Sequence, residues 1–266
     1  VKQAVIDILE QEDPVFVHGY MSNSGYPDVR KTVAEDLNKR FGTSFTEDNI
    51  LMTVGAASGL NVILKTILNP GDEVIAFAPF FVEYNSYVKN YDGELVVISP
   101  NTEDFQPNLA ELEAKITPKT KALIINTPNN PTGVVYSEET IKKMAEILCR
   151  KEKELGTDII LISDEPYREL VYDGVEVPFI TKYYHNTVIG YSYSKSLSIP
   201  GERIGYLVIP DEVTDGKEVY QAAVIANRIL GSVNAPSLFQ RVIMRCIGQT
   251  SNISVFDKNR KNLYES

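Results

Sequence analysis

The sequence predicts an α/β fold in which a mainly parallel sheet carries helices on both faces. Short apolar segments alternate with amphipathic segments of helical periodicity along most of the 266 residues. The composition, with 43% hydrophobic and 23% charged residues, is that of an ordinary globular protein. Apolar strands that alternate with helices are typical of three-layer α/β/α domains, because both faces of such a sheet are buried.

The helices are predicted from the spacing of apolar residues. In residues 27–41, Val29, Val33 and Leu37 recur every four positions and form one stripe. Residues 58–68 repeat this pattern, and a shorter helix is expected within residues 80–91. A long helix over residues 137–155 begins after Ser137, a residue type that favours the N-cap position, and its apolar face carries Ile141, Met144, Leu148 and Cys149.

Six apolar segments predict the strands, at residues 73–78, 94–98, 121–127, 158–163, 187–193 and 203–209. Ligands of such sheets bind where the carboxyl ends of strands lead into loops. That rule selects five segments: "TVGAAS", "APFF", "NTPNNPTG", "SDEPY" and "SYSK". The sequence contains no internal repeat or linker, so we expect one domain over residues 1–266.

Charge and composition exclude several classes of function. The net charge of −10 argues against a general nucleic-acid or anionic-membrane surface. Two cysteines (Cys149, Cys246) and two histidines are too few for a disulfide framework or a usual zinc site, and no metal is expected. No apolar run approaches the ~20 residues of a membrane span. We therefore expect a reduced, cytoplasmic protein, with Cys149 in the core.

Lys195 and Asp164 are candidate catalytic residues, together with Tyr167. Lys195 lies in "SYSKSLSIPGER", and Asp164 follows an apolar strand. A lysine amine can form a Schiff base with an aldehyde, and pyridoxal 5'-phosphate needs both this amine and a carboxylate that keeps its ring nitrogen protonated. A surface lysine in a solvated loop and an aspartate that caps a helix are the structural alternatives.

A phosphate would need donors near the same strand ends. Gly55, Ala56 and Ala57 open a predicted helix, where free N–H groups favour an anion. Hydroxyl and guanidinium donors are available at Ser192, Ser194 and Arg203. Helix packing, turn chemistry and a surface ion pair would explain these residues equally well.

Three further side chains could contact an aromatic ring. Asn130, beside a proline in a possible strained or cis peptide, could direct its amide at a ring oxygen, and Tyr167 could do so with its phenol. Phe81 could stack on the ring, although an aromatic residue near a strand end more often belongs to the core.

The segment from Tyr20 to Gly205 resembles the large domain of the class I aminotransferases, the aspartate aminotransferase superfamily of fold type I pyridoxal-phosphate enzymes. The matching motifs are "NNPTG", "SDEPY" and "SYSKSLSIPGERIGY". Supporting matches are "GYMSNSGYPDVRKTVA", "TVGAASG" and "NPGDEVIAFAPFF". All occur in the family's order and spacing, and the ordered set is more specific than any single motif.

The resemblance implies a role for each matched residue. Lys195 is the Schiff-base lysine, which also moves a proton between substrate and cofactor. Asp164 is the partner of the pyridine nitrogen. The phenolic oxygen of the ring accepts from Asn130 and Tyr167, and Phe81 stacks where the family often has tryptophan or tyrosine. The phosphate is held by the loop at Gly55, Ala56 and Ala57, by Ser192 and by Arg203.

Two residues are expected to serve a neighbouring subunit. Tyr20 matches the tyrosine that reaches the phosphate of the neighbour's cofactor, which implies a homodimer with shared active sites. Arg228 lies about one residue from the position of an arginine that pairs, in dicarboxylate-specific members, with the side-chain carboxylate of the neighbour's substrate. Alternatively, Arg228 is a helix-terminal arginine that meets solvent or an acidic neighbour.

We expect a fragment of a longer polypeptide, because the chain starts at Val1 without methionine and stops at "NRKNLYES", within a predicted helix. The family's small domain, with the arginine that binds the substrate's α-carboxylate, is then missing, and such a fragment could transaminate poorly because substrate positioning supplies much of catalysis.

The expected activity is that of a transaminase, which transfers an amino group from an amino acid to a 2-oxo acid in amino acid metabolism. The alternatives are a carbon–sulfur β-lyase or an aminocyclopropane carboxylate synthase-like enzyme on the same fold, and an aminotransferase-like sensor domain of a transcription regulator.

Overall fold

A computed structural model of the chain describes residues 1–249, and its central element is a seven-stranded sheet. The helix predicted over "NRKNLYES" lies outside these residues. In spatial order the strands are β1-β7-β6-β5-β4-β2-β3. Their bounds are β1 Ile50–Thr53, β2 Glu73–Phe77, β3 Glu94–Ile98, β4 Thr120–Asn126, β5 Ile160–Asp164, β6 Thr187–Ser192 and β7 Gly205–Val208.

The predicted mainly parallel sheet is confirmed, with one reversed strand. Strands β2 to β6 pair in parallel, whereas β7 pairs antiparallel with both β1 and β6. Only residues 193–204 connect β6 to β7. That connection contains only the four-residue helix Tyr193–Ser196 and a 3₁₀ turn at Pro200–Glu202. It lacks the longer helix that usually carries the chain back between parallel strands, so β7 runs antiparallel to β6.

Four of the helices match the segments that periodicity predicts. Helix α3 spans the predicted residues 27–41, and α4 begins three residues before the predicted segment. The Ser137 hydroxyl caps α7 by accepting from the Thr140 N–H at 3.0 Å. The helical bounds are α1 Lys2–Gln11, α2 Pro14–His18, α3 Pro27–Phe41, α4 Gly55–Ile67, α5 Glu83–Lys89, α6 Leu109–Lys115, α7 Glu138–Leu155, α8 Tyr193–Ser196, α9 Gly216–Ile229 and α10 Ser237–Cys246.

Apolar side chains alternate between the two faces of the sheet, as a strand's two-residue period requires. Ile124 packs with α4, α5 and α9 on one face, and the next residue, Ile125, packs with α6 and α7 on the other. Helices α3 and α10 cover the β1, β6 and β7 end of that second face. The three-layer arrangement leaves the strand ends accessible, so a ligand site can form there.

Cys149 lies at the edge of the core rather than within it. It is half-buried and packs against the apolar cluster around α7, whereas Cys246 is buried. Both thiols are free. In residues 1–249, no helix has the length and apolar character needed to cross a membrane.

Gly205 allows three backbone segments to meet at the start of β7. A Cβ atom on Gly205 would lie 2.3 Å from the Tyr191 carbonyl oxygen of β6 and 3.1 Å from the Gly55 backbone of α4. Neither obstacle is a flexible side chain, so an added methyl group would push β7 away from β6 and α4.

We expect Gly205→Ala to lower the free energy of unfolding by about 1–3 kcal/mol, the usual cost of overpacking. Gly190→Ala is the matched control, because a Cβ there would have its nearest neighbours at 3.8 Å. The control should change the unfolding free energy by less than about 1 kcal/mol. Urea unfolding followed by circular dichroism measures both values. Equal losses in the two variants would contradict the close approach at Gly205.

Candidate active site

Most of the predicted site residues surround one cavity at the carboxyl ends of the parallel strands. The cavity has a volume of about 210 Å³. Its predicted lining residues are Ala56, Ala57, Phe81, Asn130, Asp164, Tyr167, Ser192, Ser194, Lys195 and Arg203. Leu60, Asn126, Pro166 and Pro200 complete the wall. Residues more than 100 positions apart in sequence therefore meet where the sheet topology predicts a ligand site.

Lys195 reaches the cavity from the short helix α8, which directly follows β6. Its Nζ lies 5.9 Å from the centre of the Tyr167 ring, within the range of a cation–π contact. Tyr167 follows β5, the strand beside β6. Adjacent strands thus bring the lysine and the tyrosine to the same opening.

Asp164 is the last residue of β5 and is 5% exposed. Its Oδ2 accepts from the Tyr84 hydroxyl at 2.6 Å, whereas its buried Oδ1 has no hydrogen-bond partner. Burial raises the pKa of Asp164 to about 7; the Tyr84 hydrogen bond opposes the rise, and the charge of Glu165 adds to it. A ligand with a positively charged N–H group would satisfy Oδ1 and restore the ionised form.

Asn126 and Asn130 connect the end of β4 to the end of β5. The Asn126 amide donates to the Asp164 carbonyl at 2.7 Å, and its side-chain oxygen accepts from the Asn130 N–H at 2.6 Å. The Asn130–Pro131 peptide bond is cis. Burial and the charge of Asp164 raise the pKa of Tyr167, and a hydrogen bond with the Asn130 side chain partly offsets this rise. The amide and phenol predicted to act together are therefore neighbours.

Donors for an anion gather at the start of α4. Gly55 begins this helix with φ +73°, and no side chain caps its first turn. Arg203 lies against Gly55, since a Cβ there would be 2.9 Å from Nη2 of Arg203, whose Nη1 donates to the Pro200 carbonyl at 2.9 Å. The hydroxyls of Ser192 and Ser194 are 2.7 Å apart. Uncapped N–H groups, a guanidinium and hydroxyls suit a phosphate.

Phe81 forms part of the cavity wall and is partly buried. Its ring packs edge-on against Tyr84 with the centroids 5.7 Å apart. Phe81 is thus available for a ring contact while it also belongs to the apolar cluster around α4 and α5.

The structure does not bring Tyr20 or Arg228 to this cavity. The Tyr20 side chain is 94% exposed. Arg228, near the end of α9, is exposed and donates from Nη1 to the Asn23 side-chain oxygen at 3.4 Å. Both positions are those of surface residues within a single copy of the chain.

Tyr84 and Asn126 belong to the site but are not among the residues predicted from the sequence. Asn126 had a detectable signal, because it is a polar residue that ends an otherwise apolar strand and begins the "NTPNNPTG" loop. Tyr84 had none, since a tyrosine within an amphipathic helix usually serves the core. Only the fold shows that its hydroxyl meets Asp164, 80 residues further along the chain.

The raised pKa of Asp164 predicts a pH-dependent stability. Without ligand, folded Asp164 binds its proton more tightly than the unfolded chain does, whose aspartate titrates near pH ~4. This contribution is complete below about pH 4 and is lost as the pH rises through about 7. Its size is roughly 4 kcal/mol.

Urea unfolding of the ligand-free protein between pH 4 and pH 8 measures this dependence. We expect Asp164→Asn to flatten it, and Asp158→Asn, at an exposed carboxylate, to leave it unchanged. A profile that is equally steep in wild type and Asp164→Asn would show that Asp164 is not the titrating group.

Comparison with known proteins relates this chain to a family. The model of the family described as "Aminotransferase class I and II" matches residues 1–264 of the chain. An aminotransferase from Eubacterium rectale of known structure is 49% identical with a TM-score of 0.97, over 99% of this chain and 67% of that one. The aspartate aminotransferase of Thermus thermophilus, solved with maleate, is 30% identical with a TM-score of 0.82, over 93% of this chain and 60% of that one.

The curated relatives are also named aminotransferases, but they are longer than this chain. The aspartate aminotransferase of Pyrococcus horikoshii is 34% identical over 210 residues, which are 78% of this chain and 52% of that enzyme. The chain thus spans about half the length of the curated relatives it matches. The match to the family model covers almost the whole sequence, and the solved relatives share the fold. The chain therefore belongs to the class I and II aminotransferase family.

Proposed function

We propose that this protein is a pyridoxal-phosphate-dependent aminotransferase, which moves an amino group from an amino acid to a 2-oxo acid. One observation carries the proposal: the buried, unpaired Oδ1 of Asp164 lines the same cavity as the Lys195 amine. Membership of the aminotransferase family supports it. A carboxylate oxygen without a partner is costly in a buried position unless a ligand supplies the donor.

The residues around the cavity fit pyridoxal phosphate. Asp164 Oδ1 would accept from the ring nitrogen, and Lys195 would hold the aldehyde carbon. Arg203, the Ser192 hydroxyl and the first turn of α4 would hold the phosphate. Asn130 and Tyr167 would donate to the phenolic oxygen, and Phe81 would pack on the ring. When bound, the cofactor supplies an aldehyde for the amine and a ring that withdraws electrons.

The protein's own groups would then carry out two tasks. Asp164, ionised beside the ring nitrogen and held by Tyr84, would stabilise negative charge that develops at the substrate. The Lys195 amine would move the proton at the substrate's Cα atom, since it is the lysine that lines the cavity. The Tyr167 ring, 5.9 Å from Nζ, would restrict where that amine can lie.

We further propose that residues 1–266 form the cofactor-binding large domain and that two copies share their active sites. Tyr20 and Arg228 would serve the second copy. Both are exposed, and a contact between Arg228 and Asn23 links their surfaces. The exposed apolar side chains of Ile225 and Ile229 lie one helical turn apart on the same face of α9, as an interface would require.

If Arg228 serves the second copy, its guanidinium determines which amino acids that site prefers. A guanidinium pairs bidentately with a carboxylate, which favours amino acids with an acidic side chain. The Thermus thermophilus relative was solved with maleate, a dicarboxylate, and the Pyrococcus horikoshii relative is named an aspartate aminotransferase. Aspartate or glutamate is therefore the proposed amino donor.

The attachment of the cofactor tests the function directly. Protein reconstituted with pyridoxal phosphate and reduced with borohydride should carry the label at Lys195, as mass spectrometry of peptides would show. Lys195→Ala should lose this label and the visible absorbance of the bound cofactor, with the fold intact. Lys182→Ala, at an exposed lysine, is the matched control and should behave as wild type. A reducible linkage that survives in Lys195→Ala would refute the assignment.

Product analysis separates transamination from the alternatives on this fold. A transaminase should form product from aspartate only when a 2-oxo acid acceptor is present. Release of pyruvate and ammonia from an amino acid without an acceptor would indicate a lyase.

Shared sites predict recovery in mixed dimers. Tyr20→Phe should weaken cofactor retention by about tenfold, because one charge-assisted hydrogen bond to the phosphate is lost. Lys195→Ala removes the covalent attachment. A dimer of one Tyr20→Phe chain and one Lys195→Ala chain contains one complete site, so mixing should restore tight retention in up to half of the mixed dimers' sites. Gel filtration and cofactor absorbance measure this recovery. Its absence, with subunit exchange verified by mass, would refute shared sites.

A further inference from the structure

Three potential metal ligands lie together at the edge of the sheet opposite the cavity. Within the part of the chain that the structure describes, one ligand atom each from Cys149, Glu152 and His185 lies within 4.8 Å of the other two. Cys149 and Glu152 are three residues apart on α7, and His185 precedes β6. Asp164 and Lys195 lie roughly 16 Å away along the strands, at about 3.3 Å per residue. The cluster is therefore separate from the proposed active site.

The ligand types favour Zn²⁺. Thiolate, imidazole and carboxylate are the groups that bind zinc in proteins, and three of them with a water in the fourth position form an open tetrahedral site. In such a site, neighbouring ligand atoms are about 3.3–3.7 Å apart. The three ligand atoms of this cluster all lie within 4.8 Å of one another, so small side-chain adjustments would bring them to that geometry.

The surroundings hold the Glu152 carboxylate beside Cys149. Its Oε1 accepts from the Ile159 N–H at 3.0 Å and from the Asn186 amide at 2.8 Å. Asn186 is fully buried, and its oxygen accepts from the Thr214 N–H at 2.7 Å. Hydrogen bonds of this kind orient metal ligands and strengthen their binding.

His185 is also oriented, by an aromatic neighbour. Its ring packs edge-on against Tyr184 with the centroids 5.1 Å apart. The Tyr184 hydroxyl donates to the Ile159 carbonyl at 2.7 Å. The backbone of Ile159 thus hydrogen-bonds both the Glu152 carboxylate and the tyrosine that packs against the imidazole.

We propose that Cys149, Glu152 and His185 bind one Zn²⁺ ion. The thiol releases its proton to solvent on binding, and the two anionic ligands neutralise the charge of the ion. The bound metal joins the C-terminal part of α7 to the segment that precedes β6. The proposal is independent of the aminotransferase activity.

The two cysteines and two histidines of the chain provide matched controls. The zinc-site variants are Cys149→Ser and His185→Ala, and their counterparts are Cys246→Ser and His18→Ala. All proteins are prepared without a polyhistidine tag, loaded with the same cofactor and treated with a chelator that is then removed. Calorimetric titration with Zn²⁺ gives affinity and stoichiometry, and thermal unfolding with and without Zn²⁺ gives the shift in midpoint.

Wild type and both control variants should bind one zinc ion at this site and unfold at a higher temperature with it. Cys149→Ser and His185→Ala should bind at least about tenfold more weakly and lose the thermal shift. Cobalt in place of zinc should give a thiolate charge-transfer band that Cys149→Ser lacks. His185 is exposed, so His185→Ala tests the site even if Cys149→Ser folds poorly. Wild-type affinity in His185→Ala, or no zinc bound by wild type, would overturn the proposal.

Discussion

The buried carboxylate of Asp164 is the constraint around which the cavity is arranged. A carboxylate at the end of a central strand is stable only with partners, and the chain provides one for Oδ2 through Tyr84. Asn126 fixes the backbone at the same residue through its bond to the Asp164 carbonyl. Helix α5 and the end of β4 are thereby positioned relative to β5. Oδ1 remains a buried hydrogen-bond acceptor without a partner, and a ligand can supply the donor.

The cavity combines groups of opposite charge with apolar walls. Asp164 offers a carboxylate, whereas Arg203 and the uncapped start of α4 offer positive charge and N–H donors. Leu60 and Phe81 supply apolar surface in the same wall. A flat molecule with a cationic ring nitrogen and an anionic phosphate is complementary to this combination. The specificity of such a site comes from a few placed polar groups, and the apolar surface provides much of the affinity.

The hydrophobic periodicity, together with the rule that ligands bind at the carboxyl ends of strands, predicted the three-layer fold, helices α3, α4, α5 and α7, and most of the residues around the cavity. The features that depend on tertiary contacts could not be predicted in this way. Helix α8 has only four residues and no apolar stripe to detect. The direction of β7 depends on the absence of a crossover helix in residues 193–204. The partner of Asp164 is Tyr84, a tyrosine whose place in an amphipathic helix suggests a core residue. Tyr20 and Arg228 lie on the surface, so their roles depend on a second chain that one sequence does not describe.

The reversal of β7 has a consequence for how this region can change in evolution. Because β7 runs against its neighbours, its first residues lie at the same edge as the last residues of β6. Lys195 and Arg203 therefore stand near opposite ends of a single connection, residues 193–204. An insertion or deletion between them would alter the spacing of the amine and the guanidinium at once. We expect the length of this connection to vary far less among relatives than the lengths of loops at the opposite edge.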